Sequence, residues 1–227
     1  MSATEITAIC GTLNIPTDQQ NHLVRLSRST GRIEWWDRYP GEIIPPRACT
    51  YLGLEDKATR LCVFDPDHIP DLTRTRRYAT AFLRRNPDLT EPVCSEQVVV
   101  LLRRQQILSR ATPPDLDVVI QEKALSWQVG TRDDMRVQLR HLVNLTRIPH
   151  ISIRVLPRAA SPAANHATVF ALPDPEPDVV YRKVDDRTSY ELLSDVSGPD
   201  RVWDQVDAEA LGVAASRELI IEAAGLW

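Results

Sequence analysis

The sequence predicts an α/β fold of the α+β type, in which helices pack on a small mixed sheet behind an N-terminal helical segment. Two observations predict it. In most of the first 147 residues, apolar side chains recur every three or four positions, as on one face of a helix. At residues 151–155 the period changes to two, which is typical of a half-buried strand. Helices followed by several strands and a last helix favour a layered domain of both elements.

The first 34 residues form the predicted helical segment, and residues 35–227 form the main domain. Residues 4–30 have the apolar spacing of two short helices, which are separated at residues 14–16. Gly31, a residue type common just after helix C-termini, ends the second. Residues 40–46 contain three prolines, so we predict an irregular connector there.

The main domain mixes helical and strand-like patterns. Helices are predicted at residues 51–59, 73–85, 91–108, 122–125 and 133–147, with another after Pro199. Strands are predicted at residues 60–64, 115–120, 151–155, 168–172, 179–184 and 189–192. The clearest helix carries Asp133 and Asp134 in its first turn, where the helix dipole stabilises carboxylates. Arg154 is predicted to face solvent, unless the sheet is covered on both sides.

Composition and charge exclude several classes of protein. The hydrophobic share of 43% and the charged share of 26% are ordinary for a globular domain. A net charge of −4 argues against a nucleic-acid binder, and five arginines within residues 74–85 predict the solvated face of a helix. No apolar run of 18 residues and no leader pattern occur, so we expect a soluble cytoplasmic protein. Four scattered cysteines predict reduced thiols.

No sequence motif for a common cofactor is present. The chain contains no G-x-G-x-x-G, phosphate loop, nucleophile elbow or H-E-x-x-H sequence. Its eight glycines are few for a backbone cradle around phosphates. We therefore assign neither a cofactor nor a metal.

Five residues are candidates for the wall of a largely apolar ligand pocket, which we expect between the sheet and the helices: Trp36, Tyr39, Glu122, His166 and Tyr181. The two aromatic residues precede the connector, and the alternative is that they fasten the N-terminal helices. Glu122 follows a strand but can equally cap a helix. His166 lies in a predicted loop, where it is either a ligand or merely exposed, and Tyr181 is a hydroxyl donor or part of the core. In an enzyme, these last three would be the catalytic candidates.

Several short segments occur in the order and spacing of a known family, at residues 35–39 (WWDRY), 51–55 (YLGLE), 104–108 (RQQIL) and 138–142 (QLRHL). Over residues 6–224 the chain resembles the actinobacterial Cro/repressor-type (XRE-like) helix-turn-helix regulators, of which the WhiJ-like proteins are examples. In that family a DNA-binding domain precedes the domain that the chain resembles. The resemblance implies that residues 1–34 are a remnant without the recognition helix, so we expect no specific DNA binding.

The sequence departs from the family pattern in segments that we expect to line a cavity. Residues 70–75 (PDLTRT) stand where the family commonly has proline-glycine-leucine-leucine-glutamine-threonine. A glycine usual in the family is absent from residues 158–165, and Lys183 stands where a glutamate is frequent. Together with the missing DNA reader, these changes suggest a domain released from its regulatory task.

Two functions are consistent with the sequence. The first is a regulator-derived, antitoxin-like domain that binds a small-molecule effector or a small partner protein, with a homodimer as a further option. The alternative is a repurposed cofactor-free enzyme of cyclase or isomerase type in natural-product biosynthesis. Such catalysis needs shape, desolvation and one or two polar groups, so it leaves no motif. We favour the first hypothesis.

Overall fold

The computed structural model describes residues 34–160, 166–184, 187–193 and 201–227. The chain divides into two compact units, Met1–Ile44 and Pro45–Trp227. In the first unit, residues 34–44 form successive turns, as predicted for the connector. The helices predicted at residues 4–30 lie outside the described residues.

The second unit is built on a six-stranded mixed sheet of strand order β3-β2-β1-β4-β5-β6. Its strands are β1 (Arg60–Asp65), β2 (Asp115–Gln121), β3 (Ile151–Leu156), β4 (His166–Ala171), β5 (Asp178–Val184) and β6 (Arg187–Leu193). The first three strands run parallel, and the other three are antiparallel to their neighbours. All six strands were predicted, and the sheet confirms the α+β fold.

Seven α-helices surround this sheet in the described residues: α1 (Pro46–Lys57), α2 (Arg76–Leu83), α3 (Glu91–Arg104), α4 (Glu122–Ser126), α5 (Arg132–Leu145), α6 (Arg201–Glu209) and α7 (Val213–Gly225). Short 3₁₀ turns occupy Asp71–Thr73 and Gln105–Ser109. The C-terminal helix predicted after Pro199 is in fact two helices. Helix α6 ends at Glu209, and α7 begins after its N-cap residue, Gly212.

Two helices begin at residues other than those predicted, for reasons of local chemistry. Helix α1 starts five residues before position 51, because Pro46 fits the first helical turn, where its missing N–H is not needed. Helix α2 starts three residues after position 73, because the Thr75 side chain caps it by accepting a hydrogen bond from the Tyr78 backbone N–H at 3.2 Å.

Helix α5 is held at its start by a capping box. The Thr131 hydroxyl accepts a hydrogen bond from the Asp134 backbone N–H, and the Asp134 carboxylate accepts one from the Thr131 N–H. Gly130 has a φ of 73° and precedes this box, where an added Cβ would lie 2.7 Å from the Asp134 carboxylate. Met135 and Leu139 on the inner side of α5 are fully buried in the main core.

The sheet is covered on both faces, as alternating side chains along β1 and β2 require. Val63 and Val118 belong to the main core, whereas their neighbours Phe64 and Val119 pack with Val206 of α6 on the opposite face. Arg154 of β3 is therefore not solvent-facing: its side chain is only 16% exposed and forms an ion pair with Asp207 of α6.

A buried glutamine joins helix α5 to the segment between the first 3₁₀ turn and α2. Gln138 is fully buried, and its Oε1 accepts a hydrogen bond from the Thr75 N–H while its Nε2 donates one to the Thr73 carbonyl. These two bonds hold the backbone on either side of Arg74. The position of Arg74 therefore depends on a residue that lies more than sixty positions later in the chain.

We predict that Gln138→Ala lowers the free energy of unfolding by about 2–4 kcal/mol, because a buried N–H and a buried carbonyl lose their partners. Urea denaturation followed by circular dichroism measures this change. The control is Gln205→Ala, at an exposed position of α6, which should change stability by less than about 0.5 kcal/mol. Equal stability of the two variants would contradict the assigned role of Gln138.

Candidate functional site

A cavity of about 400 Å³ lies over the sheet in the second unit, within the range of small-molecule sites. Helix α1 contributes Arg47, Ala48 and Tyr51 to its wall, and the segment that contains the first 3₁₀ turn contributes Asp71 and Arg74. The sheet contributes side chains from five strands, β1, β2, β4, β5 and β6. The cavity is therefore located between the sheet and the helices, as expected from the sequence.

Strand pairing places the polar residues of the cavity on one face of the sheet. Two cross-strand rows run over β4, β5 and β6: Thr168, Tyr181 and Tyr190 in one, and His166, Lys183 and Thr188 in the other. Members of a row are direct neighbours across the strands, and the two rows are two residues apart, so all six side chains share a face. Five of these six residues line the cavity, all except the buried Thr168.

A buried arginine forms the centre of the charged network at the cavity. Arg104, at the end of α3, forms a two-pronged ion pair with Glu55 of α1, through two N–H···O contacts of 2.8 Å. Its Nη1 also donates to Asp71 at 2.8 Å. Glu55 is only 3% exposed, and the guanidinium carbon of Arg104 lies 5.5 Å from the centre of the Tyr51 ring. One side chain thus joins α1, α3 and the first 3₁₀ turn.

Arg74 is the second arginine that holds Asp71. Its Nη1 lies 2.6 Å from the Asp71 carboxylate, its Nε donates to the Ile69 carbonyl at 2.7 Å, and its guanidinium lies over the Phe82 ring. Partial burial opposes ionisation of Asp71, whose side chain is 42% exposed, but the charges of Arg74 and Arg104 outweigh it and lower the pKa of Asp71 to about 2. The carboxylate is therefore ionised at neutral pH.

Four of the five arginines at residues 74–85 are exposed, as predicted for a solvated face, and the exception is Arg74, which precedes α2. Arg74 is buried, and two others in this range are exposed but paired. Arg77 contacts Asp133 and Asp134, whereas Arg84 pairs with Glu91. The carboxylate partners of Arg77 and Arg84 come from other segments of the chain, which helical periodicity does not show.

Asp65, at the end of β1, faces two histidines in the cavity. Its carboxylate lies 3.6 Å from His166 Nδ1 and 3.7 Å from His68 Nδ1, and it accepts hydrogen bonds from the backbone N–H groups of Asp67 and His68. Burial opposes ionisation of Asp65, but these contacts outweigh it and hold the pKa of the carboxyl well below its usual range. The result is a carboxylate with an adjacent imidazole, a pairing that can transfer protons.

Tyrosines form the wall of the cavity along α1 and the antiparallel strands. The Tyr51 and Tyr181 rings meet edge to face at 5.0 Å, and the Tyr181 and Tyr190 rings are 5.2 Å apart. Tyr51 Oη also forms a 3.3 Å hydrogen bond with Thr168 Oγ1. Burial raises the pKa of all three phenols, and that of Tyr190 to about 12, so their hydroxyls are protonated at neutral pH.

The predicted site residues occupy three different places. His166 and Tyr181 both line the cavity, with ring centres 5.8 Å apart. His166 is the first residue of β4 rather than part of a loop, because its backbone pairs with Lys183. Glu122 is not among the described side chains at the cavity; it begins α4 and accepts a hydrogen bond from the Arg158 backbone N–H at 2.8 Å.

Trp36 and Tyr39 belong to the first unit and are described within it. The Trp35 ring meets both of them edge to face, at 5.4 Å and 6.1 Å, and Trp36 is buried. Residues 35–39 therefore contain an aromatic cluster. Its role in binding stays a prediction.

Apolar atoms form the larger part of the cavity surface, as expected, but charged side chains also line it. The sequence reasoning missed four charged or titratable residues that line the cavity: Arg47, Asp65, His68 and Arg104. Residues 70–75 and Lys183, by contrast, depart from the family pattern and were expected to line a cavity. The structure confirms this for Pro70, Asp71, Leu72, Arg74 and Lys183.

The described residues contain no group of three or more histidine, cysteine, aspartate or glutamate side chains placed to hold a metal ion. The three cysteines in this part of the chain, Cys49, Cys62 and Cys94, are free thiols, in agreement with the prediction. No helix among the described residues is long and apolar enough to span a membrane.

Comparison with known proteins places the chain in a family defined by this second unit. Residues 48–222 match the family described as Domain of unknown function (DUF5753), and the chain belongs to that family. The match begins in the first turn of α1 and ends within α7, so it includes nearly all of the cavity lining. No curated protein and no solved structure matches the chain.

We predict that Asp71→Asn reduces the loss of stability on acidification. Because the pKa of Asp71 in the folded state is about 2, below its ordinary value, its ionised form stabilises the fold fully above about pH 4. That contribution decreases as the pH falls toward 2. Urea denaturation between pH 5 and pH 2.5 should therefore show a shallower slope for the variant, while Asp65 still contributes in the same direction.

The same measurement on Asp88→Asn serves as the control, because Asp88 is exposed and has no arginine partner among the described residues. This control should retain the wild-type slope. A slope for Asp71→Asn equal to that of the wild type would contradict the assigned ion pairs.

Proposed function

We propose that this chain is a regulator-derived domain that binds a small-molecule effector in the cavity over its sheet and does not bind DNA specifically. The observation that carries the proposal is the charged network of Arg104, Glu55, Asp71 and Arg74 beside a cavity of about 400 Å³, in which Glu55 and Arg74 are buried. Burying such charges is costly, since their desolvation often exceeds what the ion pairs return. These charges therefore lower the stability of the fold at this position, a loss that an apolar core does not have.

The network also holds the cavity in a defined shape before any ligand enters. Arg104 fixes α1 and the first 3₁₀ turn relative to α3, and Gln138 fixes the backbone beside Arg74. A site whose polar groups are already positioned loses little conformational entropy on binding. That property suits a receptor for a small molecule.

The regulatory part of the proposal comes from the resemblance to Cro/repressor-type regulators, which extends over residues 6–224. The family match covers residues 48–222 of the second unit, and that family is described as a domain of unknown function. A net charge of −4 also disfavours a nucleic-acid partner. A small partner protein and a homodimer are the other binding modes consistent with the same family.

A second candidate function is cofactor-free catalysis of cyclase or isomerase type, which the arrangement of His166 and Asp65 favours. The imidazole Nδ1 lies 3.6 Å from a carboxylate that is held ionised, and it faces the cavity beside the Tyr181 ring. A histidine oriented by a carboxylate is a usual general base. The protonated hydroxyls of Tyr181 and Tyr190 can donate hydrogen bonds to a developing oxyanion.

The binding function is tested by a thermal-shift screen of chemically diverse small molecules against three forms of the protein. We predict that some compounds stabilise the wild type by about 5–10 °C at a concentration of about 100 Kd. The variant Thr188→Trp places an indole in the cavity and should lose these shifts. Ser189→Trp, at an exposed position one residue further along β6, should keep them. Shifts that survive in Thr188→Trp would contradict the proposal.

The enzymatic alternative predicts that the protein converts a compound identified in the thermal-shift screen into an isomeric product. Cyclisation and isomerisation leave the mass unchanged, so the product is followed by chromatographic retention and by nuclear magnetic resonance. His166→Gln should lower the rate by about 10²- to 10⁴-fold and leave the thermal shift largely intact. Quantitative recovery of the unchanged compound from the wild-type protein would exclude turnover of that compound and favour the effector function.

A further inference from the structure

More positively charged than negatively charged side chains line the cavity. Four permanently cationic side chains line it, from Arg47, Arg74, Arg104 and Lys183, against the two carboxylates of Asp65 and Asp71. This excess is local, because the whole chain has a net charge of −4. A positive cavity in a negative protein attracts anions and disfavours cations.

Two of the four cations are already neutralised within the protein. Arg104 is paired with Glu55 and Asp71, and Arg74 shares Asp71 with it. The Arg74 and Arg104 side chains are 8% and 13% exposed and are held by hydrogen bonds. They shape the site but do not provide free positive charge.

Arg47 and Lys183 supply the charge that has no such partner. Within the described parts of the chain neither side chain forms an ion pair, and both are exposed. Arg47 lies in the first turn of α1, and Lys183 lies on β5 between His166 and Thr188 of the neighbouring strands. An anion that enters between them can be bound without breaking an existing ion pair.

The aromatic side chains nearby select the remainder of the ligand. Tyr181 is two residues from Lys183 on the same face of β5, and the charge of Arg47 lowers the pKa of its phenol against the larger effect of burial. The Tyr181 ring meets the rings of Tyr51 and Tyr190 at 5.0 Å and 5.2 Å. Such a wall fits a flat, unsaturated carbon skeleton.

We infer that the ligand of this cavity is an organic anion, whose carboxylate, sulfonate or phosphate group lies between Arg47 and Lys183 and whose unsaturated body packs on the tyrosines. The inference rests on the proposed function, since it assigns the ligand class of the same cavity. It is specific about charge: a neutral molecule of the same shape binds more weakly.

The test uses two fluorescent probes that share one aromatic body. Anilinonaphthalene sulfonate carries an acidic group, and phenylnaphthylamine lacks it. Titration of the full chain at low salt should give a Kd for the sulfonate that is at least about tenfold lower than that for the neutral probe. Raising the salt to 0.5 M, at which charges are screened within about 4–5 Å, should weaken binding of the sulfonate only.

Variants of Arg47 and Lys183 test whether these two side chains cause the difference between the Kd values of the two probes. Arg47→Gln/Lys183→Gln should raise the Kd of the sulfonate about tenfold and that of the neutral probe by less than about threefold. The matched control, Lys57→Gln/Arg76→Gln, removes two exposed positive charges from residues that do not line the cavity, so both values should stay at the wild-type level. Circular dichroism and the melting temperature verify that each variant is folded.

Two cavity-filling variants separate failure of this inference from failure of the proposed function. Thr188→Trp acts from β6 and Ala48→Phe acts from α1, so one of them suffices if the other does not fold. If a folded, filled variant still binds both probes as the wild type does, the cavity is not the site and the proposed function fails. If filling abolishes binding but the charge variants keep the wild-type ratio of the two Kd values, only the anion assignment is wrong.

Discussion

The ion pair between Arg104 and Glu55 is the interaction on which the rest of the site depends. It connects the end of α3 to α1 across 49 positions of sequence, and through Asp71 it reaches the first 3₁₀ turn. Removing Arg104 leaves the buried Glu55 carboxylate without its cation, which is among the most destabilising changes that a protein core undergoes, whereas removing Glu55 leaves Arg104 with Asp71 as its remaining partner. The shape of the cavity and the packing of α1 on the sheet therefore depend on the same set of ion pairs.

The sheet brings polar residues that are distant in sequence to one place. Three parallel strands provide the apolar platform under α5 and α7, and three antiparallel strands extend it with residues that are polar on the cavity side. Because the register of β4, β5 and β6 is set by their pairing, His166, Lys183 and Thr188 become neighbours. The apolar half gives stability, and the polar half gives the site its chemistry.

Much of the fold followed from local patterns, but little of the site did. The strands were predicted because their alternation is a local property, and Tyr181 was placed correctly in the middle of β5. Arg104 was missed because helical spacing cannot distinguish it from its neighbour Arg103, and its partner Glu55 is remote in sequence. The segments YLGLE, RQQIL and QLRHL nevertheless contain Tyr51, Glu55, Arg104 and Gln138. These segments carried the family resemblance, and in the structure they carry the contacts that hold the cavity together.

Strand β6 is the outermost strand at one edge of the sheet, and among the described strands it pairs with β5 alone. A strand with one neighbour separates from the sheet at a lower free energy than a central strand does. Tyr190 and Thr188 on this strand form part of the cavity wall, so separation of β6 from β5 would open the cavity on that side. A ligand that contacts both α1 and β6 would stabilise β6 against separation from the sheet. Binding in the cavity would then slow amide hydrogen exchange in β6.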